Sequence, residues 1–180
     1  MKGSILLICG PMFAGKSSRL QNILDIHSIS GRKCLLIKHD KDNRFSLRVI
    51  SRSRPEVKEE ISIVQAGDLF EIDKSILSRF SVIGIDEGQF FNLLSKFCEE
   101  MVNEDKDVIV SALNSDFKGD GFKNVLELFP KCEKVKTLSS ICFVCKKKAY
   151  FTKRITEETE LEVIGDKDKY IPVCRTHFNE

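Results

Sequence analysis

The sequence predicts an α/β fold, a mostly parallel sheet flanked by helices, followed by a small C-terminal zinc-binding β subdomain. Three observations carry that prediction. A G-x-x-x-x-G-K-[ST] match at Gly10 to Ser17 directly follows an apolar run. Short apolar runs then alternate with segments of helical spacing, which is the grammar of strands and crossover helices. Beyond Thr137 the grammar changes to short β-like pieces that enclose C-x-x-C and C-x-x-H pairs. The expected division is 1–137, an α/β nucleotide-binding domain built on the phosphate loop, and 138–180, a zinc-binding subdomain.

Ser4 to Cys9 is a continuous apolar run with Ile and Leu, as expected of a central parallel strand buried on both faces. Gly10, Pro11, Met12, Phe13, Ala14, Gly15, Lys16 and Ser17 follow it. The glycines let the backbone turn several N–H groups toward one point, where the dipole of the next helix also favours negative charge. Lys16 is expected to reach the outer phosphates and the Ser17 hydroxyl to bind the accompanying Mg²⁺. Alone, the loop implies a nucleotide polyphosphate.

Leu20, Ile23, Leu24 and Ile26 recur with helical spacing until Ser30 and Gly31. Cys34 to Ile37 reads as the next strand. Val49 to Ser51 and Ile61 to Val64 read as short strands separated by a polar, Pro-containing connection. Asp68 to Phe80 has helical spacing and leads into Val82 to Ile85, a strand that ends in Asp86 and Glu87. A phosphate-loop fold needs a carboxylate at the end of a neighbouring strand to hold Mg²⁺, and Asp86 is placed for it. Glu87 is the candidate general base that accepts a proton from an attacking hydroxyl near the γ-phosphate. Phe90 to Val102 reads as a helix and Val108 to Leu113 as a strand.

Thr137 to Ile141, Ala149 to Ile155, Leu161 to Ile164 and Tyr170 to Val173 read as short strands. Between them lie Cys142, Cys145, Cys174 and His177, four soft or borderline ligands suited to a closed tetrahedral Zn²⁺ site. A saturated site leaves no open position for chemistry, so this zinc is expected to be structural. Cys9, Cys34, Cys98 and Cys132 lie in apolar contexts and read as core residues.

With 29 basic and 27 acidic side chains the net charge is +2, so no polyanion-binding field covers the whole chain. Lys146, Lys147 and Lys148 form a local basic cluster, read as a solvated loop face. No apolar run approaches the ~20 residues that span a bilayer. Met1 and Lys2 lead into the first strand without a signal-like segment, so a cytoplasmic protein is expected, with neither membrane nor nucleic acid as partner.

Gly10 to Ser17, Ile83 to Phe91, Phe117 with Phe122, Thr152 to Arg154, Val163 to Gly165 followed by Asp168 to Tyr170, and the two cysteine knuckles together resemble the type II thymidine kinases. The match runs from about residue 4 to 178 in family order. It implies a P-loop, RecA-like sheet with the zinc subdomain carrying a lasso loop. It also implies transfer of the ATP γ-phosphate to the 5′-hydroxyl of thymidine, with deoxyuridine a second substrate, for nucleotide salvage and DNA synthesis. In the family pattern Gly10 to Ser17, Asp42, Asn43, Arg44, Asp86, Glu87, Gly88 and Gln89 serve the phosphates and the reaction centre. Leu113, Phe117, Phe122, Thr152, Leu161, Glu162, Val163, Ile164, Gly165 and Tyr170 serve the nucleoside, with Phe117 packed on the thymine ring. Relatives are homotetramers or dimers and are inhibited by thymidine triphosphate, so both properties are expected here. Gly121, Phe45, Asp166 and Lys167 depart from the common family residues.

Two other classes fit parts of the pattern. A zinc-ribbon P-loop ATPase acting on nucleic acid would use Lys146 to Lys148 on phosphates, against the near-neutral charge. A GTPase-like switch lacks the Asn-Lys-x-Asp that specifies guanine.

Overall fold

A computed structural model describes residues 3–40, 61–156 and 169–180. Among these, six strands form one parallel sheet: β1 (Ile5–Gly10), β2 (Cys34–His39), β3 (Ser62–Ala66), β4 (Val82–Ile85), β5 (Asp107–Leu113) and β6 (Lys134–Thr137). Their order is β3-β2-β4-β5-β1-β6, and every neighbouring pair is parallel. The central strands β1, β2, β4 and β5 are nearly continuous apolar runs because both faces are covered, while the edge strands β3 and β6 are more polar and partly exposed.

Alternation along each strand divides the core in two. Ile8, Cys34, Leu36, Val82 and Ile109 point toward Leu20 and Leu24 of α1 (Lys16–Ile29). Leu7, Leu35, Ile37, Ile83, Ile85, Val108 and Val110 point to the opposite face. There they meet α2 (Lys74–Leu77), α3 (Leu94–Asn103) and α4 (Lys123–Leu128). On α3 the buried Leu94, Phe97, Cys98 and Met101 repeat at i, i+3, i+4, i+7, which aims one stripe at the sheet.

Two expected helices are shorter than their spacing suggests. Asp68 to Phe80 is a 3₁₀ turn at Leu69–Glu71 followed by α2, because two aspartates each cap a separate turn. Asp68 accepts from the Phe70 N–H at 2.9 Å and Asp73 from the Ser75 N–H at 2.7 Å. The helix expected from Phe90 starts only at Leu94, since Leu93 is left-handed (φ 53°). The strand expected at 137–141 is split: Thr137 closes β6 beside Cys9 of β1, and β7 (Ser140–Ile141) belongs to another sheet. α4 and most of β6 had no counterpart in the sequence reading. Expected strands at 49–51 and 161–164 lie outside the described residues.

Beyond Leu138 the architecture is small. β7 pairs antiparallel with β8 (Lys148–Ala149), and β9 (Phe151–Arg154) pairs antiparallel with β10 (Tyr170–Val173) before α5 (Arg175–Asn179). Its fully buried hydrophobic centre consists of Cys142, Ala149 and Val173, flanked by the stacked rings of Phe151 and Phe178 at 4.8 Å.

Candidate active site and metal centre

The parallel registers bring the carboxyl ends of β1, β4 and β5 to one edge, the place where open α/β sheets bind ligands. Gly10 ends β1 and the phosphate loop wraps onto α1, with Gly15 as N-cap in the left-handed region (φ 78°), a conformation glycine adopts without a Cβ clash. Lys16 is buried, and its ammonium donates to the Pro11 carbonyl at 2.9 Å.

Asp86, one residue beyond β4, is 4% exposed. Its Oδ1 accepts from the Ser17 hydroxyl at 2.9 Å, from the Glu87 N–H at 3.1 Å and from the Ser111 hydroxyl. Burial, reinforced by the neighbouring Glu87 charge, pushes the Asp86 carboxyl above its ordinary range, while the two hydroxyls and Lys38 pull the other way. A buried carboxylate beside a phosphate-loop hydroxyl is a pair of hard oxygen donors, and such a set fits Mg²⁺.

Glu87 is half-buried and left-handed (φ 53°, ψ 47°). Gln89 donates to Glu87 Oε2 at 2.6 Å and accepts from the Leu113 N–H at 3.0 Å, tying the β4 end to the β5 end. Phe117, in the segment after β5, carries the Arg154 guanidinium 3.8 Å from its ring centroid. Arg154 also donates to the Tyr170 hydroxyl at 2.6 Å. Thr152, buried two residues earlier on β9, accepts from the Met12 N–H at 3.0 Å. Leu113, Phe117, Thr152 and Tyr170 therefore converge on the phosphate-loop side of the sheet. Phe122 instead packs on the main core at the start of α4. Asp42, Asn43, Arg44, Leu161, Glu162, Val163, Ile164 and Gly165 lie outside the described residues.

Four contributors to the site are given no role by the sequence alone. Ser111 is a lone hydroxyl in the run Asp107–Leu113, a polar residue in a buried strand, and that oddity was its signal. Ser140 donates to the Phe13 carbonyl at 3.1 Å, Asn124 holds the turn after Glu87, and Arg154 covers Phe117. Arg154 closes the Thr152 to Arg154 stretch that carries part of the family resemblance, whereas Ser140 and Asn124 have no distinguishing local pattern.

The ligand atoms of Cys142, Cys145, Cys174 and His177 all lie within 4.8 Å of one another. Cys142 and Cys145 flank the turn between β7 and β8, while Cys174 caps α5 and His177 lies on it. Cys145 Sγ is 3.7 Å from Cys174 Sγ, and His177 Nδ1 is 3.2 Å from Cys174 Sγ and 3.6 Å from Cys142 Sγ. Burial opposes ionisation of the Cys142 thiol, but N–H groups of Cys145, Cys174 and Val144 outweigh it and bring the pKa down to about 6. A Cys₃His set packed this closely, with backbone N–H groups favouring the thiolates of Cys142 and Cys174, fits a tetrahedral zinc.

No helix among the described residues is long and apolar enough to cross a membrane. In fold, the chain is similar to the archaeal flagellar accessory protein FlaH from Methanocaldococcus jannaschii, with TM-score 0.54 and 12% identity over 82% of this chain and 75% of that one. The thymidine kinase family model matches residues 3–178. Thymidine kinases of Vaccinia virus (strain Western Reserve) and Myxoma virus (strain Lausanne) are each 44% identical over 173 residues, covering 96% of this chain and 95% and 94% of their own lengths. That of Monkeypox virus is 43% identical with 96% and 95% covered. With agreement over nearly its whole length, the chain belongs to the thymidine kinase family and is a phosphotransferase enzyme.

Proposed function

We propose that this protein transfers the γ-phosphate of ATP to the 5′-hydroxyl of thymidine, with deoxyuridine also accepted, and that Glu87 is the general base. The observation that carries the reading is the meeting of Ser17 and Asp86 at 2.9 Å with Glu87 as the next residue. One crown thus holds a phosphate cradle, a candidate metal carboxylate and a candidate base. The nucleoside hydroxyl oxygen bonds to the γ-phosphorus while the bond from that phosphorus to the β–γ bridging oxygen breaks. The hydroxyl proton passes to Glu87, and ADP leaves. Lys16 and the loop N–H groups hold the phosphates, and Gln89 orients Glu87. Magnesium held with ATP by Ser17 and Asp86 would supply charge neutralisation at the β- and γ-phosphates.

Phe117 and Tyr170 flank the nucleoside, with Asp42 to Arg44 on the donor side and Leu161 to Gly165 on the base. Residues 1–137 then act as the catalytic unit and 138–180 as the substrate-closing one. Zinc at Cys142, Cys145, Cys174 and His177 would supply a cross-link and no open coordination position. The same reading places the enzyme in the cytoplasm as a homo-oligomer, in nucleotide salvage, inhibited by thymidine triphosphate.

Incubation with Mg-ATP and thymidine, deoxyuridine or DNA tests the reaction: ADP and dTMP form with thymidine. ADP release that responds to DNA and not to thymidine overturns the reading in favour of a nucleic-acid-dependent ATPase. Glu87→Gln lowers kcat by about 10²–10⁴-fold with ATP binding retained; near-normal turnover refutes the base assignment.

A further inference from the structure

We propose that Asn124 is a positioning residue for Glu87, an inference that rests on Glu87 being the base. After the left-handed Glu87, residues Gly88–Phe90 make one 3₁₀ turn before Phe91 returns to extended backbone. So short a turn leaves carbonyl groups without intrahelical partners. Three carbonyls of this segment converge on a single side-chain amide: Asn124 Nδ2 lies 3.2 Å from the Gly88 oxygen, which also accepts from the Phe91 N–H at 3.2 Å, 2.9 Å from the Gln89 oxygen and 2.8 Å from that of Phe91. The amide orientation follows from the same contacts. Nδ2 faces three acceptors, while Oδ1 accepts from the Val125 N–H at 3.0 Å.

The turn is confined on its other side as well. A Cβ on Gly88 would come within 2.7 Å of Val110 Cγ1, so the backbone lies directly on β5. Gln89, held by the Leu113 N–H, grips Glu87 from within the turn that Asn124 fixes. Asn124 also sits two residues after Phe122, on the first turn of α4. It ties the turn carrying the base to the segment carrying Phe117, and so sets the distance from base to acceptor. Misplacement of a reacting group by about 1 Å is enough to cost two orders of magnitude in rate.

Asn124→Asp keeps the shape but aims an oxygen at three carbonyls, Asn124→Ala removes the amide, and Asn124→Ser retains a shorter donor should either fail to fold. In folded protein, kcat falls by about 10-fold or more for Asp and Ala, less for Ser, with KM for ATP and thymidine within about 2-fold of wild type. In the Glu87→Gln background the same substitutions cause no further fall in kcat, because the group they act through has gone. A merely structural role would lower the thermal midpoint and leave this split unmoved. Unchanged kcat in folded Asn124→Ala, or an effect that multiplies with Glu87→Gln, overturns the inference alone. Near-normal turnover in Glu87→Gln overturns the base reading and this inference with it.

Discussion

The crown of the parallel sheet and the small C-terminal module both reach the phosphate loop, yet different forces hold them. Asp86, Glu87 and Gln89 sit on strands and turns with a two-sided core beneath them, where Leu7, Leu35, Ile37, Ile83 and Val110 are at most 1% exposed. Among its described residues the module has three fully buried hydrophobic ones, of which Cys142 is itself a candidate metal ligand. At ~25 cal/mol per Å², burial favours the first region far more than the described part of the second. The cluster of Cys142, Cys145, Cys174 and His177 is compatible with a metal cross-link that would make up the difference. Position in the sheet is thus set by apolar area, whereas a metal held by the four ligand atoms would fix the β9–β10 pair, and Thr152 and Arg154 upon it.

The sharpest way to break this contrast is to remove the metal. Structural zinc contributes apparent binding free energies of about 10–16 kcal/mol in small peptides, far more than this module's core can supply. Elemental analysis of purified protein shows one zinc per chain, and Cys142→Ser or a strong chelator releases it. Amide protons of β9 and β10 then lose protection while those of β1, β4 and β5 keep theirs, and turnover falls because Thr152 no longer holds the Met12 N–H. Protein without zinc at isolation, or protection retained in β9 after chelation, would sink the metal-held module.

The converse perturbation is smaller and falls on the other region. Phe97 is 1% exposed and meets the Phe70 ring edge-on at 5.7 Å. Phe97→Ala lowers unfolding free energy by about 3–5 kcal/mol, read from urea midpoints. Zinc content and exchange protection in β9 stay as in wild type. Loss of zinc from this variant would show that the two cores are one cooperative unit.

What was legible in the sequence follows the same division. The sheet was readable because two-sided burial writes itself as apolar runs at Ser4 to Cys9, Val82 to Ile85 and Val108 to Leu113. The phosphate loop, the acidic strand end and the knuckles were readable because their chemistry needs particular residues at particular spacings. Helix limits were less so. Asp68 and Asp73 are both good caps five residues apart, and periodicity alone cannot tell one long helix from two capped turns. Contacts made by a single side chain to distant backbone, such as Asn124 to Gly88, leave no spacing to detect. β6 begins Lys134-Val135-Lys136, too polar and short to read as a strand until β1 is seen beside it.

The mildest test lies at the amino-terminal edge of the same sheet, away from the phosphate loop. Asp107 opens β5 and accepts from the Ser4 hydroxyl at 2.6 Å and from Arg32 Nη1 at 2.6 Å, while Arg32 Nη2 donates to the Ser81 carbonyl at 2.9 Å. Partial burial raises the Asp107 pKa, but the Ser4 and Arg32 bonds outweigh it and leave the carboxyl below its ordinary value. A depressed carboxyl contributes stability fully above its unfolded pKa of about 3.9, and that contribution is lost as pH falls through the folded value. His27, held below its ordinary pKa chiefly by burial and then by Arg32 while the Asp107 charge pulls it back up, loses its contribution from about pH 6.5 downward, and loses more of it in Asp107→Asn, where that pull is gone. With the ion pair about 30% exposed on each side (31% and 27%), Asp107→Asn costs about 0.5–1 kcal/mol at pH 7. The difference between the two urea midpoints widens from about pH 6.5 downward as His27 takes its proton without the Asp107 charge beside it in the variant, and it closes below about pH 4 as the wild-type carboxyl takes its own proton. A difference that persisted unchanged to pH 2 would mean that Asp107 acts by shape and hydrogen bonding, with its charge irrelevant.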